Sequence, residues 1–132
     1  MPEVNALAVL AATVGAFVLG GLWYSPILFG KAWQKAAGLS DERLQAGNPA
    51  LIYGVSFVLA GLASVTFAMF LGPRPGLGFG FGAGLCAGLC WVATSFGINA
   101  LFEHRPLGLT LINAGYHTLQ FTLIGAILGV LG

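Results

Sequence analysis

The sequence predicts an all-α integral membrane protein: a four-helix transmembrane bundle with a short amphipathic interfacial helix after the first span. Three observations carry that prediction. Hydrophobic residues make up 58% of the 132-residue chain and charged residues only 7%, whereas a soluble domain carries roughly 25% charged residues. A surface so poor in charge needs lipid as its solvent. Four stretches, at 4–24, 49–71, 76–102 and 107–131, contain no Lys, Arg, Asp or Glu, and each reaches the ~20 residues a helix needs to cross a ~30 Å hydrocarbon core. The segments between them hold strong helix terminators. The length fits one membrane domain over residues 1–132.

The first span follows an N-terminus that carries Glu3 and no Lys or Arg before Asn5. A secretory signal would begin with positive charge, so this stretch is expected to be a retained helix. Ser25-Pro26 interrupts its end. The next segment interleaves Ile27, Leu28, Phe29 and Trp33 with Gly30, Lys31, Gln34 and Lys35. That pattern predicts the short amphipathic helix, lying at the headgroups with Trp33 as its anchor. Gly38 ends it, and Ser40 before Asp41 and Glu42 starts one more short turn. Asn48-Pro49 supplies a cap and a first-turn proline for the second span. Gly72-Pro73-Arg74-Pro75-Gly76 makes a tight turn before the third span, and Glu103-His104-Arg105-Pro106 closes that span ahead of the fourth.

Loop charge orients the bundle. The first and third loops carry Lys31, Lys35, Arg43 and Arg105, against Arg74 alone on the other side. The positive-inside rule puts those two loops in the cytoplasm and both termini outside.

Small residues mark the packing faces. Gly76, Gly80, Gly84 and Gly88 form a ladder at four-residue intervals, with Gly78, Gly82, Cys86 and Cys90 as a second ladder beside it. Between helices in lipid, such residues permit close backbone approach. The partner is another helix of the same chain or a second copy, and a homo-oligomer is expected. So much glycine also weakens a helix, by ~1 kcal/mol each relative to alanine, and the start of span three is expected to be irregular.

Composition excludes several function classes. The net charge of +1 gives no footprint for nucleic acid. Cys86 and Cys90, four apart in an apolar run, read as small packing residues. No metal site and no cofactor is expected, since His104 and His117 lack neighbouring ligands at metal-binding spacing. The alternation of Gly and Phe from Gly78 to Gly82 resembles a nucleotide loop, but it has no preceding strand or following lysine.

The polar side chains gather at one end. The cytoplasmic ends of the spans hold Trp23, Tyr24 and Ser25; Tyr53 and Ser56; Thr94, Ser95 and Asn99; and Thr110, Asn113, Tyr116, His117 and Gln120. Ser95, Asn99 and Glu103 share one face of span three by i, i+4 spacing; Thr110, Asn113, His117 and Gln120 share one face of span four. A short loop makes these spans antiparallel neighbours, and His117 lies ~15 Å along its helix from Leu107, near mid-bilayer. The expectation is a pocket enclosed by spans three and four and the Trp23-Tyr24-Ser25 segment, open to the cytoplasm and holding a small molecule or lipid. The same residues would also serve as a hydrogen-bond network that only holds the bundle together.

Gly21-Leu22-Trp23-Tyr24-Ser25-Pro26, followed by Leu28-Phe29-Gly30-Lys31 and Trp33, resembles the signature of a small bacterial membrane-protein family, domain of unknown function 1761. Asn99-Ala100-Leu101-Phe102-Glu103 with Arg105 resembles its second signature, and Ile112-Asn113-Ala114-Gly115-Tyr116-His117 with Gly125-Ala126-Ile127-Leu128-Gly129 its third. The resemblance covers nearly the whole chain and departs at 72–84, which is richer in Gly and Pro. It implies a four-helix membrane protein and no particular activity. The first functional expectation is binding or passing a small molecule or lipid at the pocket. The second is an accessory subunit docking on a larger membrane complex through the glycine ladders. The third is a membrane enzyme using Glu103 and His117.

Overall fold

The computed structural model describes residues 4–132, so Glu3 of the N-terminal argument lies outside the described residues. Four helices are long and apolar enough to cross a membrane: span 1 (Ala6–Trp23), span 2 (Pro49–Leu71), span 3 (Leu77–Glu103) and span 4 (Leu107–Leu131). A short helix, Gly30–Ala37, and a single turn, Asp41–Ala46, connect spans 1 and 2.

The helix ends are set by local chemistry. The Asn5 side chain accepts from the amides of Leu7 and Ala8 at 3.0 and 3.2 Å, and its amide donates to the Leu131 carbonyl at 2.9 Å. One residue thus caps span 1 and ties it to the end of span 4. Asn48 caps span 2 by accepting from Leu51 N–H at 3.3 Å, with Pro49 in the first turn. The turn between spans 2 and 3 has positive φ at Gly72 (78°), Arg74 (51°) and Gly76 (84°). Span 3 ends at His104 in the left-handed region, φ 55°, where Arg105 N–H reaches back to the Ala100 carbonyl at 2.9 Å. That is a Schellman closure with histidine where glycine usually sits.

Span 4 is the central element. It packs against spans 1 and 3, and span 1 in turn packs against span 2. The apolar core lies at the end away from the first and third loops, where Ala8, Ala12, Ala16, Phe67, Ala68, Leu71, Ala87, Ile124 and Leu128 meet. Small residues on span 1 let the helices close there.

The glycine ladder is consumed inside the chain. A Cβ on Gly80 would collide with the Gly125 carbonyl, and one on Gly84 with the Phe121 carbonyl. One on Gly88 would come within 2.7 Å of Thr118 Cα. Gly129 meets the Gly76 carbonyl in the same way. Spans 3 and 4 therefore touch backbone to backbone, at a separation only glycine permits. The second ladder faces away: Gly78 and Gly82 have nothing within 4 Å of an added Cβ, and Cys86 and Cys90 are exposed.

The irregularity expected at the start of span 3 lies elsewhere. Leu77–Cys86 is regular α-helix despite its glycines, and the deviation is a π-helical segment at Ala87–Ala93. The cause is geometric. Each four-residue step in an α-helix overshoots a full turn by ~40°, so an i+4 ladder winds away from a straight partner. A π turn holds an extra residue and takes up that drift. It keeps Gly80, Gly84, Gly88 and then Phe96 on the span 4 side.

Span 2 buries side chains against the rest of the protein through its far half, while its near half touches span 1 through Tyr53 and Phe57 on Phe17. Ala60, Ser64, Phe67, Ala68 and Leu71 are buried, whereas every residue from 51 to 59 is exposed. At that end span 2 meets span 1 at Phe17 but stands off from span 3.

Candidate functional site

The corner after span 1 is built by the Trp-Tyr-Ser-Pro run. The Trp23 indole N–H donates to the Ile112 carbonyl at 3.0 Å, and its ring lies where a Cβ on Gly115 would be 3.2 Å from Trp23 Cζ2. Ser25 Oγ donates to the Leu22 carbonyl at 2.7 Å. The chain then folds back: Phe29 N–H donates to the Trp23 carbonyl and Gly30 N–H to the Ser25 carbonyl, both at 2.9 Å. A side chain at position 30 would strike the Tyr24 and Ser25 carbonyls, so only glycine fits. Trp23 and Ser25 thus shape the corner, and the corner aims Tyr24 and Trp33.

Their rings meet edge to face at 5.4 Å, and Tyr24 makes the same contact with Tyr116. The Tyr24 hydroxyl donates to Asn113 Oδ1 at 2.7 Å, and the Tyr116 hydroxyl to the Ala16 carbonyl at 3.3 Å. His117 stacks on Phe96 at 4.9 Å. Its Nδ1 donates to Gln120 Oε1 at 2.6 Å, because a carbonyl oxygen can only accept. Gln120 is 7% exposed.

These side chains form the floor of a groove of ≈ 740 Å³, within the range of small-molecule sites. Span 1 contributes Phe17, Gly20, Gly21 and Tyr24; span 4 contributes Asn113, Tyr116, His117 and Gln120. One wall is span 2, through Ile52, Tyr53, Ser56 and Ala60; Phe96 of span 3 stands opposite, and Trp33, Leu44 and Gly47 border the loop end. No Asp, Glu, Lys or Arg lines it.

The floor and walls differ from those expected from sequence. Tyr24, Asn113, Tyr116, His117 and Gln120 come together, but spans 1, 2 and 4 do most of the enclosing. The π segment turns Phe96 toward span 4 and Ser95 outward, where its hydroxyl donates to the Trp91 carbonyl at 2.7 Å. Asn99 and Glu103 lie outside the groove. They line a smaller recess of ≈ 290 Å³ with Thr110 and Arg105, separated from the groove by the shared Asn113, Trp33 and Phe96. Glu103 is exposed and lies 3.9 Å from Arg105, not beside His117. Among the described residues no three His, Cys, Asp or Glu side chains cluster to hold a metal.

The span 2 wall was not among the site residues expected from sequence. Ile52, Tyr53, Ser56 and Ala60 share one helix face by i, i+1, i+4 and i+8 spacing. With a span that is apolar all round, that spacing alone does not say which face is inward.

Six side-chain polar atoms of groove-lining residues have no hydrogen-bond partner among the described residues and none of them is buried: His117 Nε2, Gln120 Nε2, Asn113 Nδ2, Ser56 Oγ, Tyr53 Oη and Trp33 Nε1. The model of one protein family, described as protein of unknown function (DUF1761), matches residues 7–129. No curated protein and no solved structure matches the chain.

Proposed function

The chain belongs to the DUF1761 family, and we propose that it binds a small molecule or lipid in the groove between span 2 and the span 1–span 4 floor. The observation that carries this reading is the standoff of span 2. Residues 51–59 are all exposed, while one face of the far half, Ala60, Ser64, Phe67, Ala68 and Leu71, is buried; between span 2 and the floor lies an open groove. The unpaired polar groups are open to the groove rather than buried, so a ligand lying in it can reach and satisfy them.

In this reading the groove faces the cytoplasmic side of a bacterial inner membrane, where the positive-inside rule places the first and third loops. The acid–base reading is weaker, since Glu103 sits outside the groove and beside Arg105. The accessory-subunit reading keeps only the outward ladder of Gly78, Gly82, Cys86 and Cys90, since the Gly76 to Gly88 ladder is filled by span 4.

The test is to purify the full chain from membranes in mild detergent, extract it with organic solvent and quantify what co-purifies. The comparison is Ser56→Phe, which places a ring in the groove from an exposed position. A molecule held near one per chain and lost in Ser56→Phe supports the proposal. No such molecule, or the same amount from both proteins, refutes it.

A further inference from the structure

The groove's shape and its unpaired donors narrow the class of ligand. Resting on the binding role above, we infer that the occupant is an isoprenoid quinone: a lipid with an uncharged, planar 1,4-dione head, entering sideways between spans 2 and 3.

Charge comes first. No ionised side chain lines the groove, so a phosphate head would find no cation there, and a charge at this depth is costly. Lys31 and Lys35 are exposed and outside it. An uncharged head is required.

The donors come next. Tyr24 occupies Asn113 Oδ1 and His117 occupies Gln120 Oε1. Each amide therefore turns its N–H groups to the groove. The two amides offer donors that call for acceptors, beside His117 Nε2, which accepts, and the Ser56 and Tyr53 hydroxyls, which can do either. Asn113 and Gln120 are seven residues apart on one face of span 4. A flat ring lying along that face, with a carbonyl oxygen at each end, presents one acceptor to each amide.

The walls agree. Tyr53 and Phe17 face the space from one side, with Phe96, stacked on His117, on the other. Aromatic faces about a slot suit a flat ring better than a branched glycerol head. Spans 2 and 3 make no substantial contact with each other, so an isoprenoid tail has an exit to the bilayer between them.

The experiment uses the full chain in nanodiscs, with Trp91→Phe to remove the exposed tryptophan of span 3. A decyl-substituted 1,4-benzoquinone is titrated while the combined emission of Trp33, on the groove, and Trp23, in the corner beside it, is followed. The expected result is saturable quenching. Asn113→Leu and Gln120→Leu should each weaken apparent affinity about five- to tenfold, and Ser56→Phe should abolish saturation. Gln120 is buried, so circular dichroism must first match that of the parent; if it does not, Asn113→Leu and Ser56→Phe decide the matter. Quenching that is linear in quinone, or unchanged by Asn113→Leu and Ser56→Phe, overturns the inference. So does equal competition by dioctanoylglycerol. If the extraction above instead yields a stoichiometric phospholipid or diacylglycerol, the quinone assignment fails while the binding role survives. If it yields nothing, both fail.

Discussion

The Tyr24 hydroxyl donates to Asn113 Oδ1 at 2.7 Å, joining the end of span 1 to span 4 across 89 residues of sequence. This one bond does two things. It fixes the corner that carries Trp33, and it turns the Asn113 amide N–H groups into the groove.

Tyr24→Phe should therefore act on both stability and binding. Loss of a partly buried hydrogen bond costs about 1 kcal/mol, read as a lower melting temperature in detergent. Freed from Tyr24, the Asn113 amide can rotate, so ligand retention should fall as well. An unchanged melting temperature together with unchanged retention would contradict the role given to this bond.

The two glycine ladders should respond oppositely. Gly84→Val places its side chain on the Phe121 carbonyl and should separate spans 3 and 4, giving little folded protein by size-exclusion chromatography. Gly82→Val adds its side chain to open space and should behave as the parent does. Equal tolerance of both would mean that the spans do not meet as described.

His104 stands where a left-handed residue ends span 3, at φ 55°. That conformation costs a non-glycine residue roughly 1–2 kcal/mol. His104→Gly should raise the melting temperature, because His104 is exposed and makes no side-chain hydrogen bond among the described residues. A lower melting temperature would assign His104 a contact beyond its backbone.

Much of this architecture is legible in the sequence, because the signals are local. Asn48-Pro49, Gly72 to Gly76 and Glu103 to Pro106 punctuate the chain where the helices break. The glycine periodicity marks the face of span 3 that meets span 4. The gathering of Tyr24, Asn113 and His117 follows from which span ends share a side. What the sequence does not reveal is tertiary. Ser95 and Asn99 fit an α-helical stripe with Glu103, yet after the π turn at Ala87–Ala93 Ser95 faces outward and Asn99 and Glu103 line a separate recess beside Thr110. Trp23 reads as a ligand-facing aromatic, whereas its indole is pinned to the Ile112 carbonyl. The standoff of span 2 has no local signature, since Leu51 to Leu59 is as apolar as the buried half beyond it. Only the packing of Phe67 on Phe121, at 5.9 Å, reveals the end on which the helix pivots.

The central claim is that span 2 stands away from spans 3 and 4 at its loop end because a molecule occupies the gap. A density map of the full chain purified from its native membrane into nanodiscs tests this most directly. The account predicts one elongated feature along span 4, between Ser56 and Phe96, within hydrogen-bonding reach of Asn113 and Gln120. Span 2 closed onto Phe96, with Tyr53 and Ser56 packed against span 3 and no space between, would contradict it.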